Sequence, residues 1–103
     1  MKVFISMKMK SKSTEQCRQE MQEVFKGIKK KLPEAKLIDS IIENADKQIA
    51  VKGDDIGVWF LGASIQLLAE ADIVIFAKGW KEARGCVLEH NIAKAYGKYC
   101  IEI

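Results

Sequence analysis

Proline, histidine and cysteine are scarce in this chain of 103 residues, which has one, one and three of them respectively. No apolar run approaches the roughly 20 residues that a membrane-spanning helix needs. Each shortage excludes something. Cys17, Cys86 and Cys100 are odd in number and far apart, so a fully paired disulfide framework is impossible and no pair has metal-ligand spacing. Free thiols in a reducing cytoplasm are the expectation. Charge of one sign is also in short supply: the net charge of +3 is too small to argue for nucleic-acid binding. The lysine excess is local, gathered around residues 8–12 and 26–31. The opening MKVFISM reads as a short strand rather than a signal peptide. With no internal repeat, low-complexity stretch or linker, residues 1–103 read as one soluble domain with a single core.

What is present is an alternation of two periodicities. KVFIS at 2–6 predicts a buried strand. Cys17, Met21, Val24, Phe25, Ile28 and Leu32 follow in steps of three and four, one stripe of a helix. Ser13 with Gln16 is a capping-box signature at its start, and Pro33 marks its end. KLIDSII at 36–42 predicts a second strand, and 43–55 has no clean period and reads as a loop. GVWFLGASIQLLAEA predicts a helix with Val58, Leu61, Ile65 and Leu68 on its core face. DIVIFA at 72–77 is a continuous apolar run, as in a central parallel strand covered on both sides. A helix over 85–96 follows, with Val87, Leu88, Ile92 and Ala95 assigned to the core. Gly97 ends it, and YCIEI forms a last strand. This order predicts an α/β three-layer sandwich around a small parallel, flavodoxin- or Rossmann-like sheet of four or five strands.

Ligands in such sheets bind beyond the carboxyl ends of the strands, here the loops 6–13, 43–56 and 77–86. The first, SMKMKSKS, leads into a capped helix whose N-terminal N–H groups suit an anion. Ser6, Lys8, Lys10, Ser11, Lys12 and Ser13 are its candidate phosphate ligands, although it lacks the glycines of a nucleotide-binding loop. In the third loop, Arg84 beside Gly85 could pair with phosphate or with Glu89. Trp80 could stack on a base, or equally be a lid over the core edge or an oligomer contact, and one of the adjacent Trp59 and Phe60 is expected to line the cleft or an interface. Asp54 and Asp55 could touch a sugar but suffice as turn residues. His90 reads as a surface residue. Cys86, close to a predicted helix start that would lower its pKa, is an alternative nucleophile. Glu89 is the sharpest candidate, available for nucleophilic attack on an anomeric carbon or for proton transfer. A carboxylate complementing a helix dipole is the competing explanation for it.

ADIVIF, GW and ARGCVLEHNIAKAYGK together resemble the nucleoside 2-deoxyribosyltransferase-like superfamily, especially its compact bacterial and phage branch. They are similar to the deoxynucleoside monophosphate N-glycosidases. The motif covers residues 71–98 and matches at Gly85, Glu89, Ala93, Gly97 and Lys98; the topology corresponds over nearly the whole chain. The resemblance implies that Glu89 attacks a deoxyribose anomeric carbon and displaces the base, after which water or a second base resolves the intermediate. It places the 5′ end of a nucleotide on the loop from Ser6 to Ser13, and the base against Trp59 or Trp80. The implied partner is a small-molecule nucleoside or nucleotide, with no cofactor, metal, nucleic acid or membrane, in a homodimer or larger homo-oligomer. Active members carry an aspartate in the loop after the central strand, where this chain has Lys78-Gly79-Trp80-Lys81-Glu82. A non-catalytic module for a nucleotide-like or ADP-ribose-like ligand is therefore the second expectation. A third, a domain for protein contacts alone, requires Trp59, Phe60 and Trp80 to share one exposed patch.

Overall fold

Val3 and Ile5 leave the first strand on one side and Phe4 and Ser6 on the other, and this period of two divides the core. The computed structural model describes residues 1–42 and 55–103. Within them lie strands β1 (Lys2–Ser6), β2 (Lys36–Leu37), β3 (Ile73–Phe76) and β4 (Tyr99–Glu102). Helices α1 (Thr14–Lys31), α2 (Asp55–Leu68) and α3 (Arg84–Ala95) accompany them, with a 3-10 turn at Trp80–Glu82. The strands form one parallel sheet in the order β2-β1-β3-β4, with Ser6 beside Phe76 at the carboxyl ends of β1 and β3. The α/β expectation is met with four strands.

Cys17 and Met21 of α1 pack on Val3, Ile5, Ile73 and Ile75, making one face of the core. Leu68 of α2 and Cys86 and Ala93 of α3 pack on Phe4, Val74 and Phe76, making the other. Four consecutive buried residues in β3 follow from this double cover, since both of its faces meet a helix layer. Burying a side chain the size of Phe4, Phe76 or Ile5 contributes about 1.5–3 kcal/mol each.

Local signals hold where the backbone itself uses them. Ser13 accepts from the Gln16 N–H while the Gln16 side chain accepts from the Ser13 N–H, completing the capping box. At the end of α3, Gly97 has φ +72°, and the Lys98 and Gly97 N–H groups donate to the Ala93 and Lys94 carbonyls. That pattern is a Schellman closure, for which a left-handed residue is required.

Three sequence expectations are corrected. The strand predicted at 36–42 is reduced to Lys36–Leu37, because it pairs only with the start of β1. Val58, assigned to the core, is 70% exposed. On α3, Leu88 and Ala95 are exposed, and the buried positions are Cys86, Glu89 and Ala93. A hydrophobic-stripe argument avoids placing a carboxylate inward, so it rotated that helix away from its true inner face. The predicted loop at 43–55 and Asp54 lie outside the described residues, and Asp55 is described only as the first residue of α2.

Candidate functional site

The sheet order reverses direction between β1 and β3, and in open parallel sheets a crevice forms at such a switch point. A cleft of about 1150 Å³ opens there. The loop after β1 supplies Lys8 and Lys10 to its lining, and the start of α3 supplies Arg84, Gly85 and Cys86. From α2 come Gly57, Phe60, Leu61 and Ser64, which recur at helical spacing and so share one face.

Glu89 lies in the wall of this cleft and is only 6% exposed. It is the sixth residue of α3, beyond the first turn, so dipole complementation at the helix start does not account for it. The period of two along β1 turns Ser6 toward the α3 face of the sheet, and its hydroxyl donates to Glu89 Oε1 at 2.9 Å. Oε2 is buried without a hydrogen-bond partner among the described residues. Burial pushes the Glu89 carboxyl above the usual carboxylate range; the Ser6 bond and the nearby Ser64 hydroxyl oppose the rise. Ser64 does not complete a hydrogen bond to Oε2, so its influence is one of proximity. A buried polar atom left unpaired costs about 1–3 kcal/mol. The fold keeps this carboxylate at a net cost, as functional positions often do.

The cations lie at the rim. Lys8 is half-buried and pairs with Glu82 at 3.3 Å, whereas Lys10 is exposed. Arg84 makes no ion pair among the described residues, including none to Glu89. Its Nη2 lies 3.7 Å from where a Cβ on Gly57 would stand, so the guanidinium rests against the start of α2. Lys12 pairs with Glu20 at 2.7 Å.

The remaining sequence candidates separate from the cleft. Ser11 is exposed with φ +66° in the turn after β1, and Ser13 is occupied as the α1 cap. Neither lines the cleft. Trp80 is 8% exposed in the inner core, packed on Phe76 and stacked on His90 with ring centroids 4.4 Å apart. It is a core plate and not a base-stacking surface in the cleft. Trp59 meets Phe60 edge-on at 5.2 Å, and Phe60 is the member of that pair that lines the cleft. The three aromatics therefore form no single exposed patch. His90 is not a plain surface residue: it is half-buried between Trp80 and Phe76, with Nε2 at Glu102 Oε1. Burial raises the Cys86 thiol; Ser6 opposes this and the Glu89 charge adds to it, which disfavours a thiolate nucleophile.

Sequence reasoning missed Ser64 and Ser40 in the lining, and Phe60 was named only as one of two choices. The signal for α2 was available in the spacing of 57, 60, 61 and 64, but the apolar stripe through Val58, Ile65 and Leu68 drew attention away from Ser64. No signal in the sequence ties Ser40 to this cleft. Among the described residues no cluster of His, Cys, Asp and Glu could hold a metal ion, and no helix is long and apolar enough to cross a membrane.

Comparison with protein-family models, curated proteins and solved structures finds no match.

Proposed function

We propose that the chain processes a nucleoside or its 5′-monophosphate, cleaving or transferring its N-glycosidic bond with Glu89 as the nucleophile. One observation carries the reading: a buried carboxylate with one unpartnered oxygen stands in a cleft whose rim holds Lys8, Lys10 and Arg84. The resemblance of residues 71–98 to the deoxyribosyltransferase-like superfamily supports the same assignment of Glu89. A Glu89 oxygen forms a bond to the anomeric carbon as the bond to the base nitrogen breaks, and the base leaves with that electron pair and takes up a proton. Water or a second base then attacks the same carbon, restoring the carboxylate. Phe60 and Leu61 offer an apolar wall for the base, and the rim cations offer partners for a 5′-phosphate.

One observation favours the second reading, a binding module without turnover. Glu82, the other carboxylate in the described lining, pairs with Lys8, so among the described residues no second acid without a partner stands ready to protonate the leaving base. A cytoplasmic setting suits either reading. Self-association is part of the proposal, because α2 leaves Val58 70% exposed and carries no charged residue after Asp55.

The deciding experiment measures free-base release from deoxynucleosides and their 5′-monophosphates, with Glu89→Gln alongside. Release that disappears in the variant supports the enzyme. Absence of release together with thermal stabilisation by one of the nucleotides supports the module. Absence of both overturns the proposal.

A further inference from the structure

Ser6 was a candidate for contact with phosphate, yet its surroundings assign it elsewhere. It is 2% exposed and its hydroxyl is committed to Glu89 Oε1 at 2.9 Å, across 83 positions of sequence. Ser6 lies at the last position of β1, in register with Phe76 of β3, so its backbone is held by the central pair of strands. Glu89 is on a helix whose neighbours Cys86 and Ala93 are packed into the core. A bond between two such fixed elements distinguishes the two carboxylate oxygens: Oε1 is occupied and Oε2 is not.

We propose that Ser6 is a positioning residue, which binds Oε1 and fixes the Glu89 carboxylate so that Oε2 is the oxygen offered to the ligand. The inference rests on the reading of Glu89 as the reactive group, but its geometry can be tested separately. The ionised carboxylate takes more from this hydrogen bond than the neutral acid does, so Ser6 also favours the charged form against burial. Other groups converge on the same carboxyl. Cys86 stands on its own helix and Ser64 faces it from α2. Lys8, Lys10, Glu82 and Arg84 surround the cleft further out. None of the charged groups is hydrogen-bonded to Glu89; among the described residues, Ser6 alone is.

The test follows the side-chain carboxyl carbon of Glu89 by NMR in protein labelled with 13C-glutamate. Its titration midpoint is compared in wild type, Ser6→Ala, Ser6→Thr and Ser64→Ala, with Glu89→Gln identifying the signal. Ser6→Ala is expected to move the midpoint upward, Ser6→Thr to return it toward wild type, and Ser64→Ala to move it less. If base release occurs, Ser6→Ala should lower it by about ten- to a hundredfold, the equivalent of one hydrogen bond to a charged group. A shifted midpoint with no base release from any protein upholds the positioning role and defeats the glycosidic reading instead. An unchanged midpoint in a folded Ser6→Ala protein overturns the positioning role whatever the activity shows. Should Ser6→Ala fail to fold, Ser6→Cys, which is close in volume and a weaker donor, takes its place under the same criterion.

Discussion

Replacing Glu89 with glutamine should stabilise the protein at pH values where the folded-state carboxyl is ionised, increasingly so as pH rises, and leave it unchanged in acid. The reasoning begins with a carboxyl that is 6% exposed, holds one hydrogen bond from Ser6 and leaves Oε2 unpaired. Burial raises its pKa, so between the ordinary carboxylate range and that raised value the folded state binds more protons than the unfolded chain. Stability must then fall as pH rises across that window, and the loss is complete once the folded-state carboxyl has ionised. Glutamine keeps the shape and an acceptor for Ser6 but has no charge to desolvate. It also retains an unpaired polar atom, so the orphan cost of about 1–3 kcal/mol is not recovered. The gain is limited to the charge, set against the stronger bond that a carboxylate accepts. Single stabilising substitutions commonly yield about 0.5–2 kcal/mol, and that range is taken as the size of the gain. In a domain of this size that is roughly 2–16 °C in Tm, at about 4–8 °C per kcal/mol. Urea unfolding of both proteins at about pH 4, 6 and 8 measures the difference, and other titrating groups cancel because both proteins carry them. A difference in midpoint that is the same at all three pH values would refute the reasoning, as would destabilisation at pH 8.

Lys98 donates to the Ala69 and Ala71 carbonyls at 2.8 Å each, just beyond the end of α2. Lys98→Met should therefore cost about 1–3 kcal/mol in urea unfolding and leave ligand binding unchanged. Gly97 has φ +72°, so Gly97→Ala should cost about 1–2 kcal/mol, read as a lower thermal midpoint. The His90 hydrogen bond is the largest influence holding the Glu102 carboxyl below its usual range. Its stabilising contribution is thus present above the ordinary carboxylate range and disappears as pH falls through the depressed value. Glu102→Gln should flatten that acid limb in a pH series of thermal melts; an unaltered limb would show that the pair contributes nothing to stability.

Fold and site were legible to different depths, and the difference has a physical cause. Elements whose signal is local were readable: the Ser13–Gln16 capping box, the Gly97 closure and the four buried residues of β3 each depend on a few adjacent positions. The candidate nucleophile was legible only in part. The motif pointed to Glu89, but the hydrophobic pattern of α3 placed other residues inward, since that pattern counts a buried carboxylate as an error. Trp80 was left open between a base-stacking surface, a lid over the core edge and an oligomer contact. It follows a strand in a short connection, where an aromatic suggests a lid or a stacking surface, and only the approach of His90 from α3 turns it into a core residue.

Ser6 shows most plainly what a linear sequence withholds. As the last residue of a strand entering a Ser- and Lys-bearing loop, it was grouped with the phosphate candidates by position. The period of two along β1 already fixed which face it shares with Phe4, but no local rule says which residue lies opposite. That is decided by β1 pairing with β3, 70 positions away, and by α3 packing back over both, with Glu89 reaching Ser6 across 83 positions. Position in the chain identified the end of the sheet where a ligand would bind. Only the packing of α3 separates the residues that hold Glu89 from those at the rim, and it assigns Ser6 to the first group and Lys10 and Arg84, which make no ion pair among the described residues, to the second.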